Sequence, residues 1–325
     1  MTALLVTMIV GHDRPGGKIK ARNTFENIEG VRRFQRIAER FGVVPTYLLT
    51  YPVLNDTSMD WFARLFEEGR CELGTCLQPW SNPPFEASEN RLTVYPPNHI
   101  APSAVSRKLN TLTEQFIERI GRQPTSHRAE QNGLCSASLQ ALERLGYAVD
   151  SSVVPGVDAR AWGSIDWRLA PASPYHPSRQ RPSLRGASPI LQVPITAGLG
   201  QRVPRIMRRA LSHMRNRVHG HSLLGKALIQ TLPTSWLDPA QASSEGLRKL
   251  ADAEMNSGAA YLNVAFRSEI LHERCSADAA SPSDVARTFE RLDTFFRYSV
   301  DRLLVEPMGL SRFAKVYVSP GEPVA

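Results

Sequence analysis

MTALLVTMIVGHDRPGGKIKARNTFENIEGVRRFQRIAERFGVVPTYLLT, residues 1–50, holds one complete strand–helix–strand unit. Ala3 to Val10 is a near-continuous apolar run, the pattern of a strand covered on both faces. From Glu29 to Phe41 the apolar residues Val31, Phe34, Ile37, Ala38 and Phe41 recur at helical spacing, and Gly42 stands where a C-terminal cap needs it. Val44 to Thr50 reads as the second strand. Two strands joined by a crossover helix run parallel.

The same alternation continues along the chain. Helices are expected at Ser58–Glu68, Ala104–Ile120, Ser136–Leu145 and Ser243–Ser257, with a long one at Ser283–Tyr298 that Pro282 opens. Strands are expected at Cys71–Gly74, Thr125–Arg128, Tyr147–Ser151, Ile190–Pro194 and Ala260–Phe266. About seven such units in one chain predict an α/β fold, a distorted (β/α) barrel of about seven parallel strands. The whole of 1–325 reads as one domain, with long loops at 78–102 and 154–189 and a basic helical insertion near 202–230. In a barrel the loops that follow strands form the ligand face, and loops this long usually carry function.

Composition narrows the classes. With 42% apolar and 22% charged residues, disorder and collagen-like repeats are excluded, and a domain of this size needs no disulfide or metal to staple its core. No stretch of about 18 uncharged apolar residues predicts a membrane span. The opening apolar run has no basic residue before it and no small-residue cleavage site after it, so it reads as a strand and the expected location is the cytoplasm. Cys71, Cys76, Cys135 and Cys275 form no C-x-x-C pair. No strand is followed by a glycine-rich phosphate loop, so no nucleotide cofactor is expected. The net charge of +8 is concentrated at Arg202–His221, an amphipathic pattern whose arginines form a solvated face. That face could meet an anionic surface; a nucleic-acid partner is not expected.

Four segments carry a resemblance: PTYLLTYPV (45–53), ELGTCLQPWSNPPF (72–85), SHRAEQNGL (126–134) and LGYAVDSSVVP (145–155). In this order they resemble the polysaccharide deacetylases, or NodB-homology proteins, and among these the WalW-like branch. The resemblance runs from the first strand to the helix ending near Tyr298. It implies the NodB-like barrel and a metal-assisted deacetylation of N-acetyl sugars. In that chemistry a strand-one aspartate acts as base. An acidic residue two positions on and two histidines hold the metal, and a late histidine acts as acid. Zinc suits such a site because it takes N and O ligands and lowers the pKa of its bound water.

The chain departs from the pattern at those positions. Where relatives read like VTVDTE it reads VTMIVG, with Ile9 at the base position and Gly11 at the metal acid. The two histidines become Cys76 and Gln78, and the late histidine becomes Arg267. These substitutions imply a catalytically degenerate member that acts by binding a glycan or a polysaccharide-synthesis protein, with no cofactor. Trp80, Arg128, Glu130, Asp150 and Arg267 are the ligand-binding candidates. Arg267 is expected to pair with Glu130, or with Asp150, or to hold an anionic sugar. His127 reads as a structural histidine.

A second reading is an active hydrolase with a rebuilt zinc or cysteine site, using Cys76 with Asp13 and His12, or with Glu130. His12 is one residue out of phase with Gly11, so on a continued strand it would face away. His12 and Asp13 otherwise shape the turn at Arg14–Gly17.

Overall fold

The computed structural model describes residues 2–87, 89–199 and 234–317. Its organising strand is β1 (Ala3–Val10), buried throughout. One edge of β1 pairs in parallel with β9 (Tyr261–Arg267), from Ala3 opposite Tyr261 to Ile9 opposite Arg267. Its other edge pairs with β2 (Thr46–Leu49) over Thr7–Val10, and with the two-residue β10 (Glu306–Pro307) at Ala3 and Leu4. From β2 the sheet continues through β3 (Glu72–Leu77), β4 (Ser126–Ala129), β5 (Val149–Asp150) and β6 (Leu191–Gln192), every pairing parallel.

Seven strands, β9-β1-β2-β3-β4-β5-β6, therefore curl round a common interior. Beyond β6, closure uses single hydrogen bonds rather than a ladder. Thr196 N donates to Asn263 O at 3.2 Å, Leu237 N to Thr196 O at 3.0 Å, and Ala265 N to Leu237 O at 2.9 Å. This is the distorted (β/α) barrel that the alternating pattern predicts.

Period-two alternation assigns the faces of β1. Leu4, Val6, Met8 and Val10 pack outward in the main core against the helices. Ala3 and Leu5 belong to an apolar plug with Tyr261, Met308, Leu310 and Phe313. Thr7 turns inward to a polar middle layer, its hydroxyl donating to Asn263 Oδ1 at 2.9 Å and accepting from Arg128 Nη2 at 2.6 Å. Ile9 touches Leu48 and Cys76 at the top. The barrel is thus apolar below, polar in the middle, and apolar again just under the mouth.

Helices α1 (Asn27–Arg40), α2 (Tyr51–Leu54), α3 (Met59–Glu67), α4 (Pro102–Ile120), α5 (Ser136–Arg144), α6 (Ser244–Asn256) and α7 (Pro282–Asp301) accompany the strands. The short α8 (Leu310–Val316) contributes Leu310 and Phe313 to the plug. α1 meets the turn after β9 so closely that a Cβ on Gly30 would lie 2.3 Å from Leu271 O. That contact fixes the turn, which carries part of the site. α7 opens with a capping box: Ser281 Oγ accepts from Asp284 N, and Ser281 N donates to Asp284 Oδ2.

Two features differ from the sequence expectation. β3 runs to Leu77 rather than stopping at Gly74, so Cys76 is a strand residue. α2, β10, α8 and the antiparallel pair β7 (Ala197–Leu199) with β8 (Thr234–Trp236) are additional. They are too short to show a period in sequence. The basic segment Arg202–His221, and with it the insertion near 202–230, lies outside the described residues. Among the described residues no helix is long and apolar enough to cross a membrane.

The long loops are tied down rather than free. Lys108 of α4 has no exposed side chain. Its Nζ donates to Asn82 O at 2.7 Å, Pro84 O at 2.8 Å and Glu89 Oε2 at 2.9 Å, holding the 78–102 loop. His99 Nε2 and Gly163 O, 2.5 Å apart, join that loop to 154–189.

Candidate functional site

The C-terminal ends of β1, β3, β4 and β9 bring Gly11, Cys76, Gln78, Glu130 and Arg267 together at one mouth. Arg267 is the central group. Its Nη1 donates to Glu130 Oε1 at 2.5 Å, and its Nη2 and Nε donate to Glu269 Oε1 and Oε2 at 3.0 and 3.2 Å. Arg14 Nε reaches the same Glu269 Oε1 at 3.1 Å. Two carboxylates, each at most 2% exposed, thus meet two guanidiniums, and the local charge sums to zero. Burial alone would raise the Glu269 pKa, but Arg267 and Arg14 more than offset this and hold it below the usual range. For Arg267, burial works to lower the pKa, and Glu130 and Glu269 reverse the balance so that it rises.

Of the two partners expected for Arg267, the structure gives it Glu130. Asp150 is occupied elsewhere: its Oδ2 lies 2.9 Å from His127 Nδ1, and it also accepts from Ser152 N and Oγ, both at 2.8 Å. His127 and Asp150 are wholly buried, so this histidine serves the barrel wall.

Gln78 Nε2 donates to Glu130 Oε2 at 3.0 Å. Cys76 Sγ approaches the same oxygen only to 4.0 Å. Burial, followed by the Glu130 charge, pushes the Cys76 thiol well above its ordinary pKa. A buried, protonated thiol without an imidazole beside it is a poor nucleophile and a poor ligand. Gly11 offers no side chain; a Cβ there would meet Gln78 Nε2 at 3.3 Å and Glu269 Oε1 at 3.5 Å. These residues do not fit the divalent cation that the resemblance implies, because a guanidinium already neutralises the carboxylates a cation would need.

The proposed rebuilt set of Cys76, Asp13 and His12 does not assemble. Asp13 caps α1: its carboxylate accepts from Glu26 N at 2.9 Å, from Asn27 N at 3.0 Å and from Asn27 Nδ2 at 2.5 Å. The capping corrects the expectation that Asp13 shapes the 14–17 turn. His12 does not face away as the phase argument predicts, because β1 ends at Val10 and the alternation stops with it. Its ring is buried, neither nitrogen has a hydrogen-bond partner among the described residues, and burial lowers its pKa.

His12 and Trp80 line a cleft of about 230 Å³ with Ile19, Lys20, Asn23, Ser81 and Arg91. Trp80 is 1% exposed, packs edge-on to Tyr95, and leaves its Nε1 without a partner among the described residues. Arg128 lies below, in the polar layer, donating from Nε to Ser151 O at 2.7 Å and from Nη2 to Ser151 Oγ at 2.9 Å. Burial lowers its pKa to about 10. Arg128 and Asp150 are therefore interior residues and do not border the cleft.

Sequence reasoning missed Glu269, Arg14, Lys20, Asn23 and Arg91. Only Glu269 left a signal, as an acidic residue two positions beyond Arg267 in the turn that follows the expected strand.

No protein-family model matches the chain, and a search of curated proteins returns no match. Solved structures do share its fold. A candidate glycoside hydrolase/deacetylase of Parabacteroides distasonis aligns over 97% of this chain and 70% of its own, with a TM-score of 0.58 at 12% identity. A candidate polysaccharide deacetylase of Mycobacterium smegmatis aligns over 92% and 83%, with a TM-score of 0.50 at 13% identity. The 4-alpha-glucanotransferase of Thermococcus litoralis aligns over 98% of this chain but 41% of its own, with a TM-score of 0.55 at 11% identity. The chain has the barrel fold of these proteins.

Proposed function

We propose that this chain is a polysaccharide-deacetylase-like protein of the WalW-like branch that has lost hydrolysis and binds an acidic glycan at the barrel mouth. One observation carries the reading: Arg267 stands between Glu130 and Glu269, where deacetylation would need a metal and an acid. Ile9 and Cys76, at the base position and a metal position, form one apolar cluster with Leu48 and present an apolar floor instead of a reactive one. The fold's carbohydrate-acting neighbours support a sugar as ligand class, by analogy.

The cleft beside this closed centre has Lys20 and Arg91 on its exposed rim and, at its floor, the His12 and Trp80 nitrogens, which have no partner among the described residues. Exposed cations attract carboxylated sugars, and buried donors or acceptors without partners are groups a sugar hydroxyl can satisfy. The protein would work in the cytoplasm, alone or beside a polysaccharide-synthesis protein.

The test has two arms. Acetate release from acetylated chito-oligosaccharides, with zinc or cobalt added, should stay at the buffer rate. A uronate-containing oligosaccharide should bind, weaken with rising salt, and weaken about tenfold in Arg91→Ala, the loss of one charge-assisted hydrogen bond. Metal-dependent turnover, or equal binding of neutral and acidic sugars, would overturn the reading.

A further inference from the structure

The cluster Glu26, His272 and Cys275, none of which lines the cleft, lies where the turn after β9 meets the start of α1. One ligand atom from each of the three residues lies within 4.8 Å of the others. Cys275 Sγ and His272 Nδ1 are 3.5 Å apart. A zinc tetrahedron with Zn–S of about 2.3 Å and Zn–N of about 2.0 Å has a sulfur–nitrogen edge of about 3.5 Å, so this pair already stands at coordination distance. We propose that Glu26, His272 and Cys275 form a zinc site that clips the β9–α7 turn to α1.

The chemistry balances. One carboxylate, one thiolate and one neutral imidazole give two negative charges for a divalent cation, and the Asp13 carboxylate that faces the Cys275 thiol adds a third beside them. Binding releases the Cys275 thiol proton to solvent, and His272 Nδ1 exchanges its 3.2 Å contact with Glu273 O for the metal. Mixed sulfur, nitrogen and oxygen donors favour zinc over magnesium or calcium, which take oxygen alone.

The surroundings are those of a prepared site. Asp13 holds the backbone of Glu26 in place through Glu26 N, and Cys275 O accepts from Arg14 N at 2.8 Å, fixing both ends of the clip. Cys275 is buried, His272 half-buried and Glu26 exposed, so the ion would sit at the surface with its fourth position towards water. The clipped turn also carries Glu269, so the ion would brace the ion-pair cluster at the mouth without touching it.

The full-length chain, equilibrated with cobalt(II) and then with zinc, tests this. We expect one metal per chain and a thiolate-to-cobalt charge-transfer band in the near ultraviolet. Both should be lost, with affinity down at least about 100-fold, in His272→Gln and Cys275→Ser, and both should persist in Cys76→Ser. Glu26→Gln alters only an exposed side chain, so it should fold as the parent does and lose the zinc-dependent rise in Tm. Absence of retained metal, or a band that survives Cys275→Ser and vanishes in Cys76→Ser, would overturn the site.

Discussion

Glu130 and Arg267 are joined at 2.5 Å across the mouth of the barrel, one from the end of β4 and the other from the end of β9. Neither is replaceable by the other's neighbours: Gln78 also leans on Glu130, and Arg14 also leans on Glu269. The result is a chain of four charges with little water access, Glu130–Arg267–Glu269–Arg14, in which Arg267 is the link between the two carboxylates.

Arg267→Met leaves the buried Glu130 with no cation among the described residues and Glu269 with Arg14 alone. Removing one partner of a buried pair typically costs about 3–5 kcal/mol, whereas exchanging both for apolar groups is close to neutral. We therefore expect Arg267→Met to lose about that much in urea unfolding. Arg267→Met combined with Glu130→Gln should recover part of the loss. A single variant within about 1 kcal/mol of the parent would mean the pair is exposed to solvent after all.

Much of the barrel was legible because β1 to β4 and their helices are long enough to show a period. Ala3 to Val10 appears in the structure with the boundaries the sequence implies. The site was less legible. Gln78, Glu130 and Arg267 could be placed together only through the resemblance, since their meeting depends on strand order and not on spacing. Arg14, Lys20 and Arg91 sit in irregular segments, where no period links a residue to a direction. Lys108 does leave a signal in the sequence. It lies on the apolar face of α4 with Ala104, Val105, Leu109 and Leu112, where a charge needs a reason.

That reason gives a second prediction. The three acceptors of Lys108 all belong to the 78–102 loop, which carries Trp80 and Arg91 to the cleft. Lys108→Met keeps the apolar stem but leaves two carbonyls and the carboxylate of Glu89 without their cation. Stability should fall by about 3 kcal/mol. Limited proteolysis should move to 78–102 first. Equal protection of that loop in parent and variant would show that other contacts hold it.

Asp13 supplies a pH-dependent term. Burial pushes its pKa up, but the hydrogen bonds from Asn27 and from Glu26 N outweigh burial, and the folded value falls below 3.8. A carboxyl with a depressed folded pKa stabilises the fold above its unfolded pKa, and the contribution disappears as pH falls through the folded value. Asp13→Ala should therefore cost about 1–2 kcal/mol at pH 7 as a lost helix cap. The gap between parent and variant should be constant down to about pH 4 and shrink below it. Urea midpoints measured from pH 7 to pH 3 check this, and a gap that widens on acidification would contradict it.

Restoration of a metal shell separates the loss of ligands from the blockade by Arg267. Ile9→Asp, Gly11→Glu, Cys76→His and Gln78→His together return the donor types that the resemblance implies. The side chain introduced at position 11 would begin 3.5 Å from Glu269 Oε1, adding negative charge to a centre that Arg267 already occupies. A guanidinium and a divalent ion cannot share those carboxylates at close range without strong repulsion. The fourfold variant should hence bind zinc at the mouth weakly, and adding Arg267→His should tighten it at least tenfold, a gain of about 1.4 kcal/mol or more. Both are best measured in a Cys275→Ser background, so that zinc held at the α1 clip is not counted. Equal affinity with and without Arg267 would mean that the arginine swings aside, and that missing ligands alone keep the mouth metal-free.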